Sequence, residues 1–164
     1  AVHGAEICRD LQDRLVMIAR VSDAGAFVNT NALTLKRSHG DYSVMQLLYD
    51  GSEIKAVLDF VNAGEVPIAW ELIRSYSYMD CTFNAARLAA YTNEYRRYAE
   101  VSMDDLRYMP YLYLGQLLSS TYGYKQYLQT GDEELLAFGR WRTKMCRYLI
   151  ANAGEVSAEL VRLA

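Results

Sequence analysis

The chain has 164 residues, 52% of them hydrophobic and 23% charged. That is enough for one domain with a real core, and it excludes a disordered chain or a coiled coil. The net charge of −3 and a pI near 5.4 give no electrostatic footprint for nucleic acid, and no apolar run approaches the ~18 residues of a membrane span.

The longest apolar stretch, Met109 to Leu118, is interrupted by Pro110, Gly115 and Gln116. The opening residues carry Glu6, Arg9, Asp10, Asp13 and Arg14, which is not the pattern of a secretory leader. Cys8, Cys81 and Cys146 are far apart and form no C-x-x-C pair. Neither a disulfide framework nor a zinc knuckle is expected, and a reduced, cytoplasmic setting is. Fourteen tyrosines are expected to place many rings in the core with their hydroxyls bonded at its rim.

In chain order, Ile7, Leu11, Leu15 and Ile18 form one apolar stripe on a first helix. Ala24–Leu35 reads as a short helix or a loop. Gln46–Tyr49 and Ile54–Asp59 then read as two strands around Asp50-Gly51, a strong hairpin signal. Pro67 suits the first turn of a following helix, where its missing N–H costs nothing, with Trp70, Ile73, Tyr76 and Ser77 on one face. A helix from about Thr82 carries Ala85, Leu88, Tyr91, Tyr95 and Tyr98 on one stripe. Ser102 to Asp105 is a capping pattern ahead of a helix bearing Leu106, Met109, Tyr113 and Leu117, with Pro110 tolerated inside it. Thr130–Glu134 opens a long helix through Leu149, and Glu155–Leu163 is a final short one. Arg140, Arg142, Lys144 and Arg147 spread around that long helix as a solvated face. The fold class is mainly α, about six helices, with one small hairpin.

One constellation carries chemistry. Asp41 precedes the first strand and Asp59 ends the second, so the hairpin folds both carboxylates toward one place. Hard anionic oxygens suit a metal ion that bridges phosphates. A hydroxyl nucleophile needs an acceptor for its proton within hydrogen-bond distance.

His39-Gly40-Asp41-Tyr42, Gln46-Leu47-Leu48-Tyr49 and Ala56-Val57-Leu58-Asp59-Phe60 resemble the core of the aminoglycoside phosphotransferase and choline kinase-like family. Those are small-molecule kinases with a protein-kinase-like fold. Gly64–Leu72, with Trp70-Glu71-Leu72, resembles the stretch where they open the next helix. The resemblance covers about Ser38 to Arg74. It implies that Asp41 orients the substrate hydroxyl and accepts its proton, and that Asp59 binds the magnesium of the nucleotide. It implies that His39 braces the catalytic loop and that Gln46 stands where the family has a metal-binding asparagine. Gln46 is either that ligand on a longer arm or a surface-polar strand residue. Ser43 replaces the family's second histidine, and Val61 replaces the acidic residue or glycine that often follows Asp-Phe.

Only 38 residues precede His39; they hold no G-x-G, and their one lysine is Lys36. A kinase needs a glycine-rich loop and a lysine on its phosphates. Residues 1–164 are therefore expected to be a single carboxy-terminal lobe, with the catalytic loop and metal hairpin at 38–60 and substrate helices at 67–164. The amino-terminal lobe is expected to be absent, and the initial alanine points to a segment of a longer protein. The expected function is transfer of the γ-phosphate of ATP or GTP, with Mg2+, to a hydroxyl of an aminoglycoside, amino alcohol or sugar-like molecule. The expected partners are that substrate and the missing lobe, with self-association through the exposed lobe interface, and neither nucleic acid nor membrane. A degenerate, non-catalytic kinase-like binding module is the alternative, and an unrelated helical interaction domain is the third reading.

Overall fold

A computed structural model describes residues 2–23, 28–79 and 83–164. Among the described residues lie six α-helices: α1 (Gly4–Asp23), α2 (Ile68–Met79), α3 (Ala85–Arg96), α4 (Met103–Ser119), α5 (Tyr122–Thr130) and α6 (Glu133–Leu163). Four short strands, β1 (Leu35–Ser38), β2 (Leu47–Asp50), β3 (Glu53–Val57) and β4 (Gly64–Pro67), make two antiparallel pairs. The protein is mostly helical with two small sheets, where one hairpin was expected. Two compact units divide the chain: Ala1–Val28 with Leu114–Ala153, and Asn29–Tyr113 with Gly154–Ala164.

In the first unit, α1 buries a different face from its expected stripe. Ile7 and Leu11 do pack with Tyr124, Tyr127 and Leu136. Beyond them the buried residues are Arg14 and Met17, while Leu15 is 67% exposed and Ile18 39%. Arg14 is only 3% exposed. Its guanidinium donates to the Thr143 hydroxyl at 2.7 and 3.0 Å and to the carbonyls of Ser120 (2.7 Å), Gly139 (3.2 Å) and Leu117 (3.4 Å). The Tyr124 ring lies 5.4 Å from it. A cation is tolerated in a core when its donors all find acceptors. Apolar spacing alone does not reveal such a set.

The same unit holds α5, which was not expected. It is nine residues long, buries Gly123, Tyr124 and Tyr127, and stops at Gly131 in the left-handed region. Such a helix is too short to show a repeating stripe. The Tyr124 hydroxyl donates to Asp10, and burial is the main reason its pKa is pushed up to about 12. The basic residues of α6 are not one solvated face. Arg140 pairs with Glu6, Arg147 pairs with Asp10 and Asp13, and Arg142 is buried over the Phe138 ring.

α6 runs unbroken for 31 residues, where two helices were expected. Leu149, Ala153, Val156 and Leu160 recur every three or four positions and are all buried. That continuous stripe outweighs the ~1 kcal/mol a mid-helix glycine such as Gly154 costs relative to alanine.

The second unit is built around α2, in which Glu71 to Ser77 are all buried. Burial therefore goes around the helix instead of along one face. Its apolar residues Ile68, Leu72, Ile73 and Tyr76 join a core that includes Leu88, Leu106 and Met109. The hydroxyls of α2 are satisfied locally. Ser77 donates to the Ile73 carbonyl at 2.6 Å, and Ser75 lies 2.9 Å from the Tyr91 hydroxyl. Pro67 is not in the helix; it ends β4, opposite Leu35, and the helix begins at Ile68.

α3 is capped by Asn84, whose side chain accepts from the Arg87 N–H at 3.0 Å. The start expected near Thr82 lies outside the described residues, as do Cys81 and the first part of the expected Ala24–Leu35 segment. α3 ends at Arg96, so Tyr98 falls past the helix and is 78% exposed. α4 follows its expected cap. Ser102 N–H donates to Asp105 Oδ2 at 2.8 Å, and Asp105 N–H donates to the Ser102 hydroxyl at 3.0 Å. Leu106, Met109, Tyr113 and Leu117 are buried as expected. Asp105, fully buried, also accepts from the Thr34 N–H at 2.9 Å, which anchors the chain entering β1.

Replacing Arg14 with methionine removes a charged donor from the Thr143 hydroxyl and from three carbonyls. Losing hydrogen bonds to a buried charged group costs about 2–4 kcal/mol. Urea unfolding of Arg14→Met is expected to show that loss, whereas Leu15→Met should lie within about 0.5 kcal/mol of the parent chain.

Candidate active site

The hairpin β2–β3 pairs Leu47 with Val57 and Asp50 with Glu53, closing through Gly51 and Ser52. Gln46 lies just before it, as the last residue of a 3-10 turn (Val44–Gln46) and not within a strand. Asp59 lies two residues past β3, in the left-handed region at φ 61°, and caps a second 3-10 turn (Phe60–Asn62). The Leu58 N–H donates to the Gln46 carbonyl at 2.8 Å. Gln46 and Asp59 therefore leave the hairpin at the same end.

The loop from His39 to Tyr42 is drawn to that end by one ring. His39 is buried and both its nitrogens are engaged. Nε2–H donates to the Leu58 carbonyl at 2.6 Å, and Nδ1 accepts from the Asp41 N–H at 3.3 Å. A neutral imidazole with its proton on Nε2 satisfies both bonds. The Phe60 ring adds a tilted contact at 4.7 Å between centroids. Gly40, between His39 and Asp41, has φ +76°. A Cβ there would lie 2.0 Å from the Asn62 carbonyl oxygen. Only glycine combines that backbone with so close an approach to the turn after Asp59.

α2 holds the loop from below with two side chains one turn apart. Glu71 Oε1 accepts from the N–H groups of Gly40 (3.2 Å) and Tyr42 (3.4 Å). Arg74 donates to the Tyr42 carbonyl at 3.3 Å and pairs with Asp41 Oδ1. The guanidinium also lies over the Trp70 ring, 5.4 Å from its centroid. Glu71 Oε2 is buried with no hydrogen-bond partner among the described residues. Burial pushes the Glu71 carboxyl up from its ordinary range, and the two loop N–H bonds only partly oppose this. Burial likewise pushes the neighbouring Tyr42 phenol up from its ordinary range.

The sequence motif contained His39, Gly40, Asp41 and Asp59 but not the clamp beneath them. Glu71 appeared only as part of a resemblance, and Arg74 only as the end of the matched stretch. Their signal is an acid and an arginine three apart, the two charged residues of the helix that follows β4.

Among the described residues, no three of His, Cys, Asp and Glu come together as a metal-holding group. The donors at the hairpin end are instead the Asp59 carboxylate and the Gln46 side-chain oxygen. Asp59 is exposed, Gln46 half-buried, and neither side chain is engaged by another described residue. Such a sparse all-oxygen set fits Mg2+, which keeps waters and shares its shell with phosphate oxygens, and does not fit zinc.

Residues 8–101 match the phosphotransferase enzyme family. That stretch runs from within α1 through both sheets, α2 and α3. No curated protein and no solved structure matches the chain.

Because Glu71 holds its proton more tightly folded than unfolded, its contribution to stability is fully present below the ordinary value of 4.5 and lost as pH rises through the raised folded value. Glu71→Gln removes that dependence. Urea unfolding at about pH 8 and about pH 4.5 is expected to show the parent gaining stability relative to the variant on acidification. A difference that does not change with pH would contradict a raised Glu71.

Proposed function

The chain belongs to the phosphotransferase enzyme family, and on that premise we propose that it is the catalytic and acceptor-binding lobe of a cytoplasmic small-molecule kinase. The donor is ATP or GTP. The acceptor is a hydroxyl of an aminoglycoside, an amino alcohol or a sugar-like molecule. The observation that carries this reading is the His39 ring, bonded on one side to the Asp41 amide and on the other to the carbonyl before Asp59.

In this reading Asp41 accepts a hydrogen bond from the acceptor hydroxyl and orients its oxygen toward the γ-phosphorus. The new O–P bond forms as the bridging P–O bond breaks. The electron pair of the broken bond leaves with the nucleoside diphosphate, and the hydroxyl proton goes to Asp41. Asp59 and Gln46 would hold Mg2+, which when bound neutralises charge on the phosphate oxygens. His39 keeps the two aspartate loops in one geometry.

The glycine-rich loop and phosphate-gripping lysine would come from an amino-terminal lobe outside residues 1–164. Met45, Leu48, Tyr49, Ile54, Leu58, Phe60 and Val61 all lie exposed on and beside the hairpin. Clustered apolar exposure of this kind favours burial against a partner surface. The proposed occupant is the missing lobe, with self-association in its absence. Among the described residues, no helix is long and apolar enough to cross a membrane.

Calorimetry on the 164-residue chain is expected to show Mg–ATP binding well weaker than micromolar. Micromolar affinity corresponds to about 8 kcal/mol, which should need the absent lysine and glycine-rich loop. In the protein that includes the second lobe, Asp59→Ala is expected to weaken Mg–nucleotide affinity. Asp41→Asn should leave nucleotide binding nearly intact and lower kcat by about a hundredfold to ten-thousandfold. Steady-state transfer from Mg–ATP to kanamycin, choline and glucose, with nucleotide titration and circular dichroism, measures both. Full activity in a folded Asp41→Asn protein would move the non-catalytic module ahead.

A further inference from the structure

The ion pair between Asp41 and Arg74 is not required by a carboxylate that merely caps a turn. Asp41 is half-buried, with 26% of its side chain exposed, and Arg74 is nearly enclosed at 11%. Arg74 is fixed independently of Asp41. It bonds the Tyr42 carbonyl and lies over Trp70, one turn back on the same helix. Glu71, three residues before it, holds the N–H groups on either side of Asp41. The Asp41 backbone is thus clamped by Glu71 and His39, and its side chain by Arg74 alone. Among the described residues nothing engages Oδ2, the other carboxylate oxygen.

We infer that Arg74 is a positioning residue for phosphate transfer: it holds Asp41 Oδ1 so that Oδ2 is presented to the acceptor hydroxyl. The inference rests on the proposed role of Asp41. The pairing has a physical consequence. One χ rotor of Asp41 is locked before the substrate arrives, and orientation errors of about 1 Å can cost on the order of a hundredfold in rate. Asp41 then acts as an aligning acceptor during O–P bond formation. A loose, metaphosphate-like transition state demands little early deprotonation of the nucleophile. The positive charge beside Asp41 also lowers the repulsion between its carboxylate and the incoming phosphate.

Lysine is a poor substitute. Its ammonium is a point charge without the planar fork that here spans a carboxylate and a carbonyl. It should restore the charge but not the alignment.

The first test needs no turnover. A double-mutant cycle of Asp41→Asn and Arg74→Gln in urea unfolding of the 164-residue chain should be non-additive by ~10-fold in the unfolding equilibrium constant. Strict additivity would overturn the pair. The second test uses the two-lobe protein, with Mg–ATP and whichever of kanamycin, choline or glucose accepts phosphate. Arg74→Gln is expected to lower kcat ~10- to 100-fold, with the KM for Mg–ATP within about twofold of the parent. Arg74→Lys should recover only part of that loss, and Arg74→Gln should add little once Asp41 is asparagine. Parental kcat in a folded Arg74→Gln or Arg74→Lys protein, alongside an inactive Asp41→Asn, would overturn this inference and leave the kinase reading standing. Parental activity in Asp41→Asn would overturn both.

Discussion

Two charged side chains, Glu71 and Arg74, sit on a stretch of helix that is buried on every side. That is the constraint on which the rest of the site depends. A buried charge is costly unless hydrogen-bonded, and here the bonding groups come from the loop His39–Tyr42. The helix therefore holds the loop in place because it needs the loop's N–H groups, carbonyl and carboxylate. The dependence runs both ways. The loop has no regular ladder through Gly40 and Asp41 to define its shape.

From that anchor the geometry passes to the hairpin through small, local devices. Gly40 lets the loop approach the turn after Asp59 more closely than any side chain would allow. His39 then joins the two segments with one bond at each ring nitrogen. The pairing of Leu58 with Gln46 returns the two ends of the hairpin to the same place. The result is one paired carboxylate and two uncommitted side-chain oxygens set on one base. Preorganised oxygens of this kind suit the proposed phosphate transfer. The base also explains a tension in the site: half of the Glu71 carboxylate is buried without a partner among the described residues. An unpartnered buried oxygen asks for a reason, and the role proposed for the loop supplies one.

The first unit solves a similar problem without an acid. Arg14 is neutralised by no carboxylate within its own hydrogen-bond set, but its donors are distributed over one hydroxyl and three carbonyls. Two of those acceptors, Thr143 and Gly139, lie on α6, and their groups are well placed only once α1, α5 and α6 have assembled. Arginine suits this because its fork carries five donors in fixed directions.

What the sequence determined by itself was the chemistry carried by contiguous residues. His39-Gly40-Asp41, the Asp50-Gly51 hairpin, Asp59 and the Ser102–Asp105 cap each depend on neighbours a few positions apart, and short-range sterics and hydrogen bonds act at that range. The helical character of α1, α2, α3 and α4 was readable for the same reason. Tertiary structure alone decided the rest. β1 and β4 pair across the whole hairpin with no turn signal between them. α1 turned Arg14 inward and Leu15 outward because distant carbonyls offered the guanidinium more than solvent did. α6 ran on through Gly154 because its buried stripe continues beyond it. Arg74 became part of the site because Glu71–Ser77 are buried and the loop offers the guanidinium a carboxylate and a carbonyl. A local pattern specifies what a residue is able to do, whereas burial, which depends on segments far away in the chain, decides which partner it must find.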